Sequence, residues 1–133
     1  MNPNVAVYEA VGFLDQVTPQ SVATGAVGAV SGYVLARGYR RFLAVGMATT
    51  LTGTLTVQLL QATSAAGAGA KVLGTAGTDV CVAANGLAYQ ESQEDALDTA
   101  NGFYYVAVRV SHNHAGNRDC AGILAGTSYN RPV

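Results

Sequence analysis

The sequence predicts an all-β protein, a single-domain antiparallel β-sandwich of jelly-roll type with about eight short strands. Two segments alternate apolar and polar residues with a period of two, which is typical of half-buried strands. Turn-forming residues recur between the apolar runs, and only Glu91–Asp98 could form a helix, of two turns at most. We expect residues 17–133 to form the sandwich and residues 1–16 to form an N-terminal arm.

Length and charge narrow the possible functions. The chain has 133 residues, the size of one ordinary domain, and only 11% of them are charged, with a net charge of −1. We expect no nucleic-acid partner because there is no basic patch, and no membrane partner because there is no long apolar run. The first residues do not resemble a signal peptide, so the sequence predicts synthesis in a cytoplasm.

The early strands are predicted from two short apolar runs, residues 32–36 and 42–45. A basic turn containing Arg37, Arg40 and Arg41 separates them. These arginines are either a solvated turn or partners for carboxylates on a neighbouring subunit, where the guanidinium group is effective.

The middle of the chain alternates clearly. In residues 51–61, Leu55, Val57 and Leu59 share one face of a predicted strand. The Ala- and Gly-rich residues 62–77 predict a long loop around a short strand at 71–73, because glycine is costly inside a helix. Asn85-Gly86 and Asn101-Gly102 are predicted turns.

The late strand shows the clearest alternation. Tyr104, Val106, Val108 and Val110 fall on one face of residues 103–111. A second small-residue strand follows at 120–126. The two cysteines, Cys81 and Cys120, lie in apolar surroundings far apart in the sequence, so we expect buried free thiols.

Candidate catalytic and metal-binding groups are few. His112, His114, Asp119 and Cys120 could be imagined around a metal ion, but the spacing of a structural metal site is missing. No nucleophile motif accompanies the histidines, and residues 67–71 depart from the spacing of a phosphate-binding loop. The acidic residues of 91–98 lack calcium-loop spacing. We therefore expect no catalytic residue, metal or cofactor.

Four segments in this order resemble a family of small virion proteins of tailed bacteriophages that includes capsid decoration, or cement, proteins. They are Thr18–Val22, Gly53–Gln61, Gly102–Val110 and the terminal Asn130–Val133. The chain differs from that pattern at residues 62–77, where an Ala/Gly-rich stretch replaces a charged strand and turn.

The resemblance implies a structural protein of the virion, bound to the exterior of the matured capsid and commonly trimeric. Its partners would be the major capsid protein and further copies of itself, and its task would be to clamp neighbouring capsomers. In that setting the N-terminal arm could order on a neighbouring subunit or on the capsid. The candidate contacts are Val5, Val7, Tyr8, Phe13, Leu14, Arg37, Arg40 and Arg41.

Two alternatives remain open from the sequence. The first is another virion component, such as a head fibre, neck or tail protein. The second is a carbohydrate-binding module in which Tyr33, Tyr39, Tyr89 and Tyr105 would stack on sugar rings.

Overall fold

The computed structural model describes residues 11–128. They form seven β-strands and two single turns of 3₁₀-helix, Glu94–Ala96 and Thr99–Asn101, and contain no α-helix. The strands are β1 (Val11–Val22), β2 (Gly25–Val30), β3 (Val34–Leu35), β4 (Tyr39–Ala62), β5 (Lys71–Gln93), β6 (Tyr105–His112) and β7 (Arg118–Ser128). The predicted all-β fold is confirmed.

The strands build two antiparallel layers that share β4 and β5. In the first sheet, β7 lies between β1 and the first half of β4, and the second half of β5 lies on the other side of β4. In the second sheet, β6 lies between β2 and the second half of β4, with β3 also on β6 and the first half of β5 beyond β4. Both long strands therefore run continuously from one sheet into the other.

The two sheets pack face to face at close range. A Cβ atom placed on Gly46 of β4 would lie 3.2 Å from the Cβ of Val57, further along the same strand. One placed on Gly122 of β7 would lie 2.7 Å from a methyl group of Val110 on β6. The glycines let the layers approach, so the sandwich predicted from the alternation is confirmed.

The strands change sheets at a corner around residues 48–52 and 82–86. The β4–β5 register is irregular between Ala48 and Thr52, as expected where strands bend between layers. Ala83 has a φ of 51°, which a non-glycine residue rarely adopts. The predicted turn at Asn85-Gly86 is wrong, because this dipeptide lies within β5 at the corner.

The inward-facing side chains form one continuous core. Leu55, Val57 and Leu59 of β4 and the alternating valines of β6 are fully buried, as their period of two predicts. Burial of each such side chain contributes about 1.5–3 kcal/mol relative to exposure. Phe42 of β4 and Leu124 of β7 complete the core from the first sheet.

A pair of buried glutamines closes a defect in the second sheet. The β4–β5 register shifts between Val57 and Leu59. Gln90, from the part of β5 in the first sheet, accepts a hydrogen bond from the Leu59 N–H (2.6 Å) and donates one to the Leu73 carbonyl (2.5 Å). Gln58 donates to the same carbonyl (3.1 Å), so the buried backbone groups stay paired.

The strands differ from the prediction in length and extent. The expected long loop over residues 62–77 is shorter, because β4 reaches Ala62 and β5 starts at Lys71. The sheet begins at Val11 rather than at residue 17, so residues 11–16 of the predicted arm are part of β1 and pair with β7. The rest of that arm, residues 1–10, lies outside the described residues.

Candidate functional site

The outer face of the first sheet is the most unusual surface of the protein. Odd-numbered residues of β4, β5 and β7 point outward there, because their even-numbered neighbours are buried against the second sheet. Most of the outward residues are apolar. We call this surface the apolar face; it consists of Val11, Phe13, Leu43, Val45, Met47, Leu87, Tyr89, Ala121 and Ile123.

Several of these side chains are more exposed than apolar groups normally are. Phe13 is 77% exposed, Tyr89 68% and Leu87 60%, and they come from strands at opposite edges of the sheet. Between them, Leu43, Val45 and Ile123 are partly exposed. Soluble monomers seldom expose a contiguous apolar surface that spans four strands, so this face has the character of a binding surface.

Shallow grooves run across the same face. One groove, of about 440 Å³, lies at the corner end and is lined by Met47, Leu87 and Ala121 together with Pro19. A second of about 350 Å³ lies beside Phe13. A third of about 170 Å³ lies at the opposite end of the face from the corner. Grooves of this kind can accommodate side chains that protrude from a partner surface.

Two opposite charges stand at the end of the apolar face that is remote from the corner. Arg41 pairs in register with Gln93, and Leu43, two residues on, pairs with Glu91. Arg41 and Glu91 thus lie one row apart on neighbouring strands, and both line the third groove. Within residues 11–128 the salt bridge is Lys71–Asp98, so neither of these two charges is neutralised there.

The predicted contact residues are distributed unevenly over the structure. Phe13 and Arg41 lie on or beside the apolar face, whereas Leu14 packs against the core next to an irregularity in β1. Arg37 is exposed in the turn before β4, and Arg40 is exposed where the β4–β7 register shifts. Val5, Val7 and Tyr8 lie outside the described residues.

Sequence reasoning missed most of the apolar face, and Glu91 with it. Residues 42–48 are apolar on both sides of the strand, so no polar residue marks the alternation. A size difference does mark it: the inward side chains include Ala44, Gly46 and Ala48, and the outward ones are Leu43, Val45 and Met47. Small residues on the inward side of a strand allow two sheets to pack closely.

The two histidines stabilise the corner. His112 is buried, donates from Nε2 to the Val22 carbonyl (2.8 Å) and accepts at Nδ1 from the His114 N–H (3.2 Å). The Nδ1 of His114 accepts from the Thr52 N–H (3.0 Å). Three of the four ring nitrogens are thus engaged with backbone, and no three His, Cys, Asp or Glu side chains in residues 11–128 are grouped as metal ligands.

Both cysteines are buried free thiols within the sandwich, as predicted. Burial raises the pKa of the Cys81 thiol, and the Asp79 carboxylate beside it raises this pKa further. Burial, with a smaller effect of Asp119, also raises the pKa of the Cys120 thiol. A raised pKa removes thiolate at neutral pH, so neither group is activated as a nucleophile.

The acidic segment after β5 is partly engaged in structure. Asp98 forms an ion pair with Lys71 (2.5 Å) and accepts from the side chain of Asn101 (2.9 and 3.0 Å). These contacts lower the pKa of the Asp98 carboxyl, Lys71 having the largest effect. The Lys71 ammonium also lies 4.1 Å from the ring centre of Phe103. This arrangement fastens the start of β5 to the 3₁₀ turns.

The tyrosines proposed to stack on sugars do not share one surface. Tyr89 is on the apolar face, while Tyr39 packs against the core with its ring centre 6.4 Å from that of Phe42. Tyr33 abuts the loop at Gly67, and Tyr105 belongs to β6 of the second sheet. Of these four rings, that of Tyr89 is exposed and the other three are partly buried.

Comparisons with known proteins leave the family open. No protein-family model matches the chain, and no curated protein matches it. Among solved structures, the chain is similar to the Clostridium thermocellum endo-1,4-beta-D-xylanase 10B CBM22-1-GH10 modules complexed with xylohexaose, with 8% identity and a TM-score of 0.46. That match covers 95% of this chain and 27% of the xylanase chain, so the chain spans about a quarter of the length of that protein. No helix within residues 11–128 is long and apolar enough to cross a membrane.

Proposed function

We propose that this protein is a structural component of a tailed-phage virion that binds the outside of the matured head and reinforces it. The observation that carries the proposal is the apolar face, a broad and nearly uncharged surface on a two-layer scaffold. The resemblance of four ordered segments to decoration proteins gives the assembly in which such a surface would be used.

The physical properties of the chain fit this role. Binding to a shell by many copies multiplies weak contacts, so each copy needs only modest affinity. A sandwich whose two layers share continuous strands holds its surface in shape and loses little conformational entropy on binding. This role requires no chemistry of the protein.

The copy number of the chain in purified particles tests the proposal. Quantitative mass spectrometry should give a ratio to the major capsid protein near one to one if the protein covers the shell. A ratio of a few per hundred would place it at vertices, neck, tail or fibres and contradict the decoration role. Complete absence from particles would overturn the virion proposal.

Add-back of purified protein tests reinforcement separately. Particles produced without this chain should release their DNA at a lower temperature than complete particles, and the purified protein should restore the higher temperature. Bovine serum albumin at the same mass concentration serves as the control for nonspecific protection. Equal release temperatures for complete and deficient particles would contradict a stabilising role.

A further inference from the structure

We propose that a groove on the outer face of the second sheet binds a carboxylate group. The groups that would contact this ligand are the Arg109 guanidinium and the hydroxyl groups of Thr54, Thr56 and Ser111. The proposal goes beyond the virion role and uses a different surface. The outer face of the second sheet is opposite to the apolar face, so a ligand in the groove does not compete with a partner on that face.

The groove lies where outward side chains of two strands meet an irregular edge strand. Thr56 of β4 pairs in register with Ser111 of β6, and both point outward because their neighbours along each strand are buried in the core. The β2–β6 register shifts between Gly25 and Ala29, so β2 has extra residues beside Ser111. The resulting groove has a volume of about 390 Å³.

Arg109 carries the positive charge of the groove. It lies on the same side of β6 as Ser111 and is partly buried. Its Nε atom is buried and has no hydrogen-bond partner within residues 11–128, where the salt bridge is Lys71–Asp98. The nearby Tyr33 supplies no negative charge, because burial raises the pKa of its hydroxyl against the lowering effect of Arg109. The guanidinium therefore lacks an anionic partner in the described part of the chain.

Ser111 gives an independent indication of a ligand. Its side chain is only 7% exposed and lines the groove, yet its hydroxyl forms no hydrogen bond within residues 11–128. The backbone of β2 crowds against it, since a Cβ atom on Gly28 would lie 2.9 Å from the Ser111 Cβ. Buried polar groups are normally paired. The groove is the side from which a partner can reach this hydroxyl.

The donors of the groove favour a carboxylate. Thr54 and Thr56 add two hydroxyl groups, and no carboxylate of residues 11–128 lines the groove. His112 adds no charge, because its Nε2 donates to the Val22 carbonyl and its Nδ1 accepts from a backbone N–H. One guanidinium balances the single charge of a carboxylate and forms strong hydrogen bonds with it. A phosphate group carries more negative charge and would be compensated only in part.

NMR titration of the isotope-labelled full chain tests the proposal, with N-acetylglycylglycine as the probe and its terminal amide as the control. These two compounds differ only in the carboxylate, and sodium chloride keeps the ionic strength equal. We expect the acid to shift the signals of Arg109, Ser111 and the neighbouring Asn113, and the amide to leave them unchanged. Equal shifts with both compounds, or tighter binding of inorganic phosphate than of the acid, would overturn the assignment.

Three variants separate the groove from nonspecific attraction to positive charge. Arg109→Gln should weaken binding of the acid by about tenfold or more, because it removes a charged donor, and Ser111→Ala should weaken it severalfold. Arg37→Gln removes an exposed arginine of the turn before β4 and should bind the acid as the natural chain does. Circular dichroism and the Tm check that all three fold. Unchanged affinity of Arg109→Gln, or an equal loss in Arg37→Gln, would contradict the proposed site.

Sodium acetate as a second probe distinguishes two sources of the carboxylate. Acetate presents the group as a small acid does, whereas N-acetylglycylglycine presents it as the end of a polypeptide chain. Tighter binding of the peptide acid would assign the groove to the chain terminus of a partner protein. Equal or tighter binding of acetate would assign it to a free small acid. If neither acid shifted the signals of Arg109 and Ser111, the proposal would fail.

Discussion

At the scale of single residues, the sandwich depends on polar groups that repair irregular hydrogen bonding. The side chain of Gln90 crosses from the first sheet to the second and bonds the Leu59 N–H and the Leu73 carbonyl beside the register shift between Val57 and Leu59. His112 does the same at the corner with the Val22 carbonyl. Both side chains are buried, and their polar atoms are bonded to backbone groups.

Replacement of Gln90 by leucine tests this role. The variant keeps a similar volume but removes the partner of the buried Leu59 N–H and leaves the Leu73 carbonyl with Gln58 alone, so we expect the free energy of unfolding to fall by about 2–4 kcal/mol. Urea denaturation measures the change. The exposed Gln93→Leu at the end of the same strand is the control and should stay within about 0.5 kcal/mol of the natural chain. Equal stability of the two variants would contradict the assignment.

The cysteines give a second prediction at this scale. Since burial and neighbouring carboxylates raise the pKa of both thiols, iodoacetamide at about pH 8 should alkylate neither Cys81 nor Cys120 in the folded protein. Both should react fully in urea, and the reaction in the folded state should accelerate only at higher pH. Intact-mass spectrometry follows the labelling. Rapid alkylation of the folded chain would show that the thiols are accessible.

At the scale of elements, β5 is constrained most tightly where its two halves meet. A Cβ atom on Gly77 would overlap the backbone of Tyr89, which belongs to the other half of the same strand. The two sheets touch there without any side chain between them. The edge of the sandwich formed by β5 is therefore closed by backbone contact.

Gly77→Ala should consequently destabilise the protein by about 3 kcal/mol, because the overlapping atoms are backbone and cannot move aside. Gly12→Ala on β1 is the matched control, since its new Cβ would meet ordinary contacts starting at 3.7 Å. Thermal unfolding followed by circular dichroism compares the two. A stable Gly77→Ala variant would mean that the layers are further apart than described.

The ion pair between Lys71 and Asp98 links β5 to the 3₁₀ turns and should make stability depend on acid. The pKa of the Asp98 carboxyl in the folded protein lies below the ordinary 3.8 of an aspartate. The ionised carboxylate therefore stabilises the folded state above pH 3.8, and this stabilisation is lost as the pH falls through the pKa of the folded state. Asp98→Asn should therefore lower the Tm slightly at pH 7, and this difference should shrink as the pH falls below 3.8. Asp95→Asn, at an exposed position nearby, should have no effect at either pH.

At the scale of the whole molecule, the first and last described strands are neighbours. Val11 of β1 pairs with Thr127 of β7, and β7 in turn pairs with β4. The first sheet cannot be completed until distant parts of the chain meet, which is slow. Refolding from urea should take milliseconds to seconds, as measured by stopped-flow tyrosine fluorescence in this tryptophan-free chain. Refolding within microseconds would contradict the topology.

Strands could be predicted where apolar and polar residues alternate clearly in the sequence. Val106, Val108 and Val110 are flanked by polar or aromatic residues, so their strand and its buried face follow from the sequence. The continuity of β4 and β5 through both sheets does not follow from the sequence. Glycines and the dipeptide Asn85-Gly86 are common in turns and are equally suited to a corner where a strand bends. Local chemistry cannot distinguish a strand that turns back from one that bends into another sheet.

The candidate site was predictable only in part. Phe13 and Arg41 were expected to make contacts, and both lie at the apolar face, but the expectation came from their place in a predicted arm and a basic turn. Glu91 was grouped with the acidic segment that follows it, and only the register with Leu43 shows that it faces outward beside the apolar residues. Which residues share a face depends on strand pairing, and the sequence leaves pairing undetermined.

The passage of β4 and β5 through both layers has a mechanical consequence. In a sandwich whose sheets are joined only by loops, a load that pulls the layers apart opposes side-chain packing alone. Here the layers are two parts of one folded ribbon, and its ladder of hydrogen bonds continues around the corner. A force that separates the layers therefore acts along the covalent backbone of β4 and β5 and on the hydrogen bonds between them, as well as on side-chain packing.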